Sequence, residues 1–177
     1  MKVIVINGAP CSGKDTFANM CITNNTGAGT IISMADAAKD VARYCGWNGE
    51  KTPKNRKFLS DLKDLLDNWG DTSFKNVEKF IDALFEIEQG VDNWIVFVMS
   101  REPKDIERLK RRFNAYTIYI SNYQAEKEPA TNHADADIKC FTYDEYISNN
   151  STLDELELKS KDFVERIMKN GFDYRWN

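Results

Sequence analysis

Val3-Ile4-Val5-Ile6-Asn7-Gly8-Ala9-Pro10-Cys11-Ser12-Gly13-Lys14-Asp15-Thr16 is the stretch that decides how this chain folds. Its opening four residues are an unbroken β-branched run stopped by Asn-Gly, which predicts a strand buried on both faces inside a parallel sheet. A helix is expected from about Gly13 to Cys21, with Phe17, Met20 and Cys21 facing inward. Between the two stand a glycine, four residues and Gly-Lys, the Walker A frame, in the strand-to-helix context that the motif requires. Glycines let such a turn curl until successive backbone N–H groups form an anion nest. The helix that follows adds unsatisfied N–H groups and the positive end of its dipole. The stretch therefore reads as a phosphate-binding loop made of Gly8, Ala9, Pro10, Cys11, Ser12, Gly13, Lys14, Asp15 and Thr16, with Lys14 able to reach β- and γ-phosphates. The plainer alternative is an ordinary glycine-containing turn.

Two departures from the frame go together. The residue after the lysine is usually Ser or Thr, whose hydroxyl binds Mg²⁺; here it is Asp15, followed by Thr16. The apolar run Trp94–Met99, expected to be a central strand, has no acid at its carboxyl end, where Met99 and Ser100 stand. Asp15 is accordingly a candidate to supply the missing carboxylate near Mg²⁺, directly or through water. It would otherwise cap the helix start and complement its dipole.

Outward from this loop, strands alternate with helices. Thr30–Met34 reads as a short strand, Asp36 opens a helix to about Cys45, and Tyr116–Ile120 and Tyr143–Ile147 read as further strands. Two helical runs, Phe58 to Trp69 and Phe74 to Phe85, are closed by Gly70 and Gly90. Pro103 suits the first turn of a helix that buries Ile106, Leu109 and Phe113. Thr152 and Glu155 offer a capping-box start to a last helix, with Leu153, Leu156, Phe163, Val164 and Ile167 inward and Asn170-Gly171 at its end. The pattern predicts an α/β sandwich, a parallel sheet of about five strands with helices on both faces. Residues 47–90 would form a helical insert, and the polar stretch 122–137 a mobile, lid-like loop.

A chain of 177 residues fits one domain, with 42% hydrophobic and 29% charged residues excluding general disorder. The formal net charge is -4, the opposite of the basic footprint of a nucleic-acid binder. Cys11, Cys21, Cys45 and Cys140 make no C-x-x-C pair, and with His133 as the single histidine they do not offer a zinc site. Reduced thiols and the lack of any run near about 18 apolar residues lead to the expectation of a cytoplasmic protein that engages no membrane.

Ser12-Gly13-Lys14-Asp15-Thr16 resembles the phosphate loop of bacteriophage-type deoxynucleoside monophosphate kinases, within the P-loop nucleoside and nucleotide kinases. Met34-Ala35-Asp36-Ala37-Ala38-Lys39 stands where that family has an Asp-containing turn after its second strand. Arg101 matches a family arginine near the acceptor nucleotide, although the acid two positions before it is Met99 here. The stretch His133-Ala134-Asp135, Tyr143-Asp144, Asn149, Thr152-Leu153 and Leu156 is similar to the closing strand and helix. The resemblance implies a single P-loop kinase domain over residues 1–177, with ATP and Mg²⁺ as cofactors; it assigns nothing to residues 47–90, and their covering the acceptor site is an expectation from the helical insert alone. It implies transfer of a phosphoryl group from ATP to a (deoxy)nucleoside monophosphate. A kinase for a nucleoside or another small phosphorylated metabolite remains open, as does a nucleotide-binding module with little transfer. Nucleotide substrates are the expected partners, and a homodimer is left open.

The remaining candidates each carry two readings. Lys14, Arg101 and Asp36 are the candidate catalytic residues, and Asp15 and Thr16 the candidate metal contacts through ATP. Arg101, at the carboxyl edge where ligands bind in open parallel sheets, would grip a phosphate or pair with Glu102 or Asp105. Asp36 would act as a base toward a hydroxyl acceptor, contact Mg²⁺ through water or the acceptor sugar, or cap its helix. Lys39 and Arg56 would line the acceptor site or be solvated charges. Arg108, Arg111 and Arg112 lie opposite the apolar face at about 100° per residue, so a solvated outer face is the better reading. His133 reads as a surface residue. Most aromatics have core spacing, with Tyr44, Trp47 and Trp69 open to base stacking.

Overall fold

In the computed structural model, the described residues are 1–87, 93–127 and 141–169. Strand β1 (Lys2–Asn7) is buried along its whole length and runs into the loop that precedes α1 (Lys14–Asn24). The chain continues through β2 (Gly29–Ser33), α2 (Asp36–Tyr44), α3 (Pro53–Gly70), α4 (Thr72–Ile87), β3 (Ile95–Met99) and α5 (Pro103–Phe113). It ends with β4 (Tyr116–Ser121), a 3₁₀ turn (Ala125–Lys127), β5 (Glu145–Ser148) and α6 (Leu153–Lys169). The five strands form one parallel sheet in the order β2-β3-β1-β4-β5. Ile4 pairs with Phe97, Ile6 with Ile118, and Ile120 with Ile147.

This register explains the unbroken apolar runs. Ile4, Ile6, Phe97, Ile118, Ile120 and Ile147 share one sheet face, where α1 and α6 bury Phe17, Ala18, Cys21, Leu156, Phe163 and Ile167 against them. Phe17 and Phe163 meet edge to face at 5.6 Å, a geometry worth about 0.5–1.5 kcal/mol beyond area burial. Val3, Val5, Val96 and Val98 point to the other face by the two-residue alternation, and α5 buries Ile106, Leu109 and Phe113. Burial pushes the Cys21 thiol well above its ordinary range. Helix, sheet and helix thus make the three layers, within a compact unit comprising Met1–Ile31 and the described residues from Asn93 onward.

A second compact unit begins at Ile32 and holds α2, α3 and α4. Thr52 caps α3 by accepting the Asn55 N–H (3.2 Å), and Pro53 takes the first helical position, so this helix starts well before Phe58. Asp71 in the left-handed region (φ 55°) turns the chain into α4, and Asp67 accepts the Ser73 N–H at 2.7 Å. Phe74, Val77 and Ile81 are buried on α4, as are Ala38 and Ala42 on α2. Helix α3 has no fully buried residue, and Leu65 and Trp69 are 66% and 84% exposed. Tyr44 is also exposed, so Tyr44 and Trp69, two of the aromatics left open to stacking, lie at the surface, and helical spacing alone did not mark how deeply Leu65 sits.

Other boundaries moved for identifiable reasons. Helix α1 continues to Asn24, beyond Cys21, and Asn25 stops it by donating to the Ala28 and Asn93 carbonyls (2.7 and 2.5 Å). The last strand starts at Glu145 rather than Tyr143, because the Asp144 side chain already holds the Thr117 N–H (2.9 Å) and hydroxyl (2.8 Å). Leu153, expected inward, is exposed at the first position of α6. Asn122–Lys127 of the supposed loop is a bonded turn, with Asn122 Oδ1 accepting from the Gln124 and Ala125 N–H groups. Residues 128–137, His133, Cys140, Gly90 and Asn170-Gly171 lie outside the described residues. No described helix is long and apolar enough to cross a membrane.

Asp144 gives the fold an acid-sensitive joint. Burial alone would raise its pKa, but the Lys110 ammonium (2.5 Å) and the two Thr117 donors outweigh burial and hold it below the usual carboxylate range. Stability from this lowered pKa is fully present above the unfolded value of about 3.9 and is lost as pH falls toward the folded one. Urea unfolding of Asp144→Asn should show a deficit at neutral pH that narrows as pH drops through about 4. A deficit constant across the series would mean that this carboxylate is not the source.

Candidate active site

The loop between β1 and α1 is tied at both ends. Asn7, fully buried, accepts the Gly8 N–H on Oδ1 (2.7 Å). Its Nδ2 donates to the Tyr143 hydroxyl (2.6 Å) and to the Arg101 carbonyl (3.3 Å). Burial pushes the Tyr143 phenol up to about 12, with the Asn7 bond pulling back, so the hydroxyl stays neutral. Within the loop, the Ala9 carbonyl accepts both the Ser12 N–H and Lys14 Nζ, each at 3.1 Å. Lys14 is 7% exposed, so its ammonium is held inside the turn rather than in solvent.

Backbone conformation fits the same purpose. Gly13, at φ 91°, occupies the N-cap position of α1, and no side chain caps it. The first intrahelical bond runs from the Phe17 N–H to the Gly13 carbonyl (2.9 Å). The N–H groups of the preceding turn are therefore outside the helical ladder, at the positive end of its dipole. Cys11 is exposed and left-handed at φ 63°, a conformation that costs a non-glycine residue about 1–2 kcal/mol. Strain of this kind is retained at ligand-binding turns more often than elsewhere.

Asp15 and Thr16 are exposed in the first turn of α1. Neither side chain makes a hydrogen bond among the described residues. The capping role open to Asp15 is taken by Gly13, which leaves dipole complementarity and a metal contact. A carboxylate and a hydroxyl are hard oxygen donors, the kind that suits magnesium arriving with a nucleotide. Among the described residues there is no cluster of three or more metal-ligating side chains. Among the described residues, the buried hydroxyls Ser12 Oγ and Ser100 Oγ have no hydrogen-bond partner. Ser100 follows β3, with its N–H donating to the Ile6 carbonyl at 3.3 Å, where the expected acid is absent.

Arg101 is half-buried beside Asn7, which holds its carbonyl. Asp105 pairs with Arg108 at 3.5 Å. Arg111 pairs with Glu107 at 2.9 Å and Arg112 lies over the Phe113 ring, in keeping with an outer face. Asp36, Lys39 and Arg56 belong to the second unit. Asp36 accepts the Ser33 N–H on Oδ2 (2.8 Å) and Lys39 Nζ on Oδ1 (2.7 Å), so these two candidates neutralise each other. The N-cap there is Ala35, and the Asp36 carboxylate braces the turn before the helix instead. Arg56 Nε donates to the Lys51 carbonyl at 3.1 Å in an exposed setting. Trp47 Nε1 donates to the Glu50 carbonyl at 3.0 Å.

Sequence reasoning tied neither Asn122 nor Asn149 to the loop, although Asn149 stands in the stretch similar to the kinases' closing strand and helix. Asn149 Nδ2 donates to the Ser12 carbonyl (2.9 Å), and Asn122 Nδ2 donates to the Asn149 carbonyl (2.5 Å). The signal was present: β1 ends on Asn7, and β4 and β5 are each followed by Asn122 and Asn149. Ligands of open parallel sheets gather at that carboxyl edge.

Sheet order, layers and loop together define the three-layer α/β fold of P-loop kinases. Among solved structures the chain is similar to dephospho-CoA kinase from Campylobacter jejuni, with TM-score 0.55 and 14% identity over 97% of this chain and 100% of that one. It is also similar to an unliganded sugar kinase from Janibacter sp. HTCC2649, with TM-score 0.53 and 12% identity over 96% and 97% of the two chains. At such identities the likeness is one of fold. No protein-family model matches the sequence, and no curated protein does.

Proposed function

We propose that the chain transfers the γ-phosphoryl group of ATP to a (deoxy)nucleoside monophosphate. The reading rests on one observation above all: a buried lysine ammonium inside a glycine-flanked turn, at the head of a helix and the carboxyl edge of the sheet. Loop N–H groups and Lys14 would hold the β- and γ-phosphates and stabilise charge as the terminal group passes in line to the acceptor. Magnesium, bound with the nucleotide, would neutralise phosphate charge, and Asp15 and Thr16, exposed in the first turn of α1, would meet it. Arg101 is the candidate grip on the acceptor phosphate. An acceptor phosphate is already anionic, so no general base is required, which suits an Asp36 engaged by Lys39.

The neighbours' names widen the acceptor panel. Purified protein with MgATP should release ADP in the presence of nucleoside monophosphates, at the roughly 1–100 s⁻¹ usual for kinases. Nucleosides, a sugar and dephospho-CoA should support little release. Release with only one of these would keep the kinase and replace its acceptor. ATP binding with no acceptor-dependent release would favour a nucleotide-binding module, a reading drawn from Met99 and Ser100 at the end of β3.

A further inference from the structure

The Ser12–Gly13 peptide is held from outside the loop by a residue 137 positions away, and that contact carries a functional consequence. Asn149 stands just beyond β5. Its own N–H donates to the Ser121 carbonyl (2.7 Å), its carbonyl accepts Asn122 Nδ2 (2.5 Å), and its side-chain Nδ2 donates to the Ser12 carbonyl (2.9 Å). The asparagine is thus fixed through its own main chain to the end of β4 before it touches the loop. A peptide unit is planar and trans, so its C=O and N–H point in opposite directions. Fastening the Ser12 oxygen to Asn149 therefore turns the Gly13 N–H away from Asn149. Gly13 fits this contact closely, since a Cβ placed there would collide with Asn149 Nδ2. Its φ of 91° is one that a residue with a side chain rarely adopts.

We infer that Asn149 is a positioning residue for triphosphate binding: it aims the Gly13 N–H at the phosphates by clamping the preceding carbonyl. The inference rests on the phosphate-loop reading proposed above. Asparagine suits the position because it is short and carries a donor. Aspartate would set oxygen against oxygen, and leucine would fill the space with no donor.

Inorganic tripolyphosphate is the discriminating probe, because it engages phosphate donors and has no base or sugar. Titration calorimetry should show Asn149→Leu binding it about tenfold or more weakly than the parent, the scale of one charge-assisted hydrogen bond that is no longer aligned. Adenosine affinity should be unchanged, and the melting temperature should stay within a few degrees. A residue that merely braced the fold would lower stability or weaken both ligands together. Asn149→Ala, which adds no bulk, gives the same reading if leucine disturbs folding. Equal tripolyphosphate affinity in parent and both variants would overturn the inference while leaving the kinase reading intact. A parent that binds neither tripolyphosphate nor ATP would overturn the phosphate-loop reading itself, and the inference with it.

Discussion

Lys14→Met should lower kcat for phosphoryl transfer by about 10²–10³-fold or more, the loss found when one preorganised donor is removed from a developing charge. Methionine is the instructive choice. The lysine stem is buried, and methionine fills nearly the same volume without the ammonium. The charged hydrogen bond to the Ala9 carbonyl disappears, worth about 1.5–3 kcal/mol, and the cost of burying an ammonium goes with it. That carbonyl keeps its second donor, the Ser12 N–H, so no buried acceptor is orphaned. The variant should therefore fold and melt close to the parent while failing to turn over. The effect should appear in kcat more than in KM for ATP, because the ammonium gains most as charge moves onto the bridging oxygen. Turnover of the variant within a few-fold of the parent would remove Lys14 from the chemistry and take the proposed function with it.

The fold was legible because its signals are local. A buried parallel strand needs apolar side chains on both faces, so Val3–Ile6 and Ile95–Val98 could hardly be read otherwise. Gly-x-x-x-x-Gly-Lys between a strand and a helix fixed the loop as well. What was not legible depends on partners far away in sequence. Asn7 with Tyr143, and Asn149 with Ser12, are separated by 136 and 137 residues, and an isolated asparagine after a strand looks like a turn former. The start of β5 was missed for the same reason: Asp144 takes up Thr117, and only the tertiary structure joins the two. Helix α3 failed differently. Its apolar residues have helical spacing, which identifies the helix but not how deeply each side chain is buried, and Leu65 and Trp69 are exposed. For the acceptor, the sequence offered charges, and the Asp36–Lys39 pair shows how one charge can be satisfied by its own neighbour.

Gly8→Ala should damage the stability of the loop, and for a reason that lies in the sheet. A Cβ at Gly8 would sit 2.5 Å from Ser12 Oγ and 2.6 Å from the Ile120 carbonyl oxygen. The serine hydroxyl can rotate. The Ile120 oxygen cannot, because it belongs to the backbone of β4, which is paired on both sides, with β1 and with β5. Relief therefore requires β1 and β4 to separate at the point where Asn7 leaves the sheet, or the loop to lift off it. Overpacking of this kind typically costs about 1–3 kcal/mol. For a chain of this length that corresponds to a fall in melting temperature of roughly 2–12 °C. ATP affinity should fall as well, since a lifted loop misaligns its N–H groups. Two comparisons locate the cause. Gly8→Ala combined with Ser12→Ala should recover little, because the carbonyl clash persists. Gly27→Ala, at φ 78° with nothing within 4 Å of the new Cβ, should cost only the backbone strain of about 1–2 kcal/mol and leave ATP affinity unchanged. If the double variant regains the parent's melting temperature, the constraint lies in the serine side chain; if Gly8→Ala alone melts like the parent, the close approach of loop and β4 does not limit this turn.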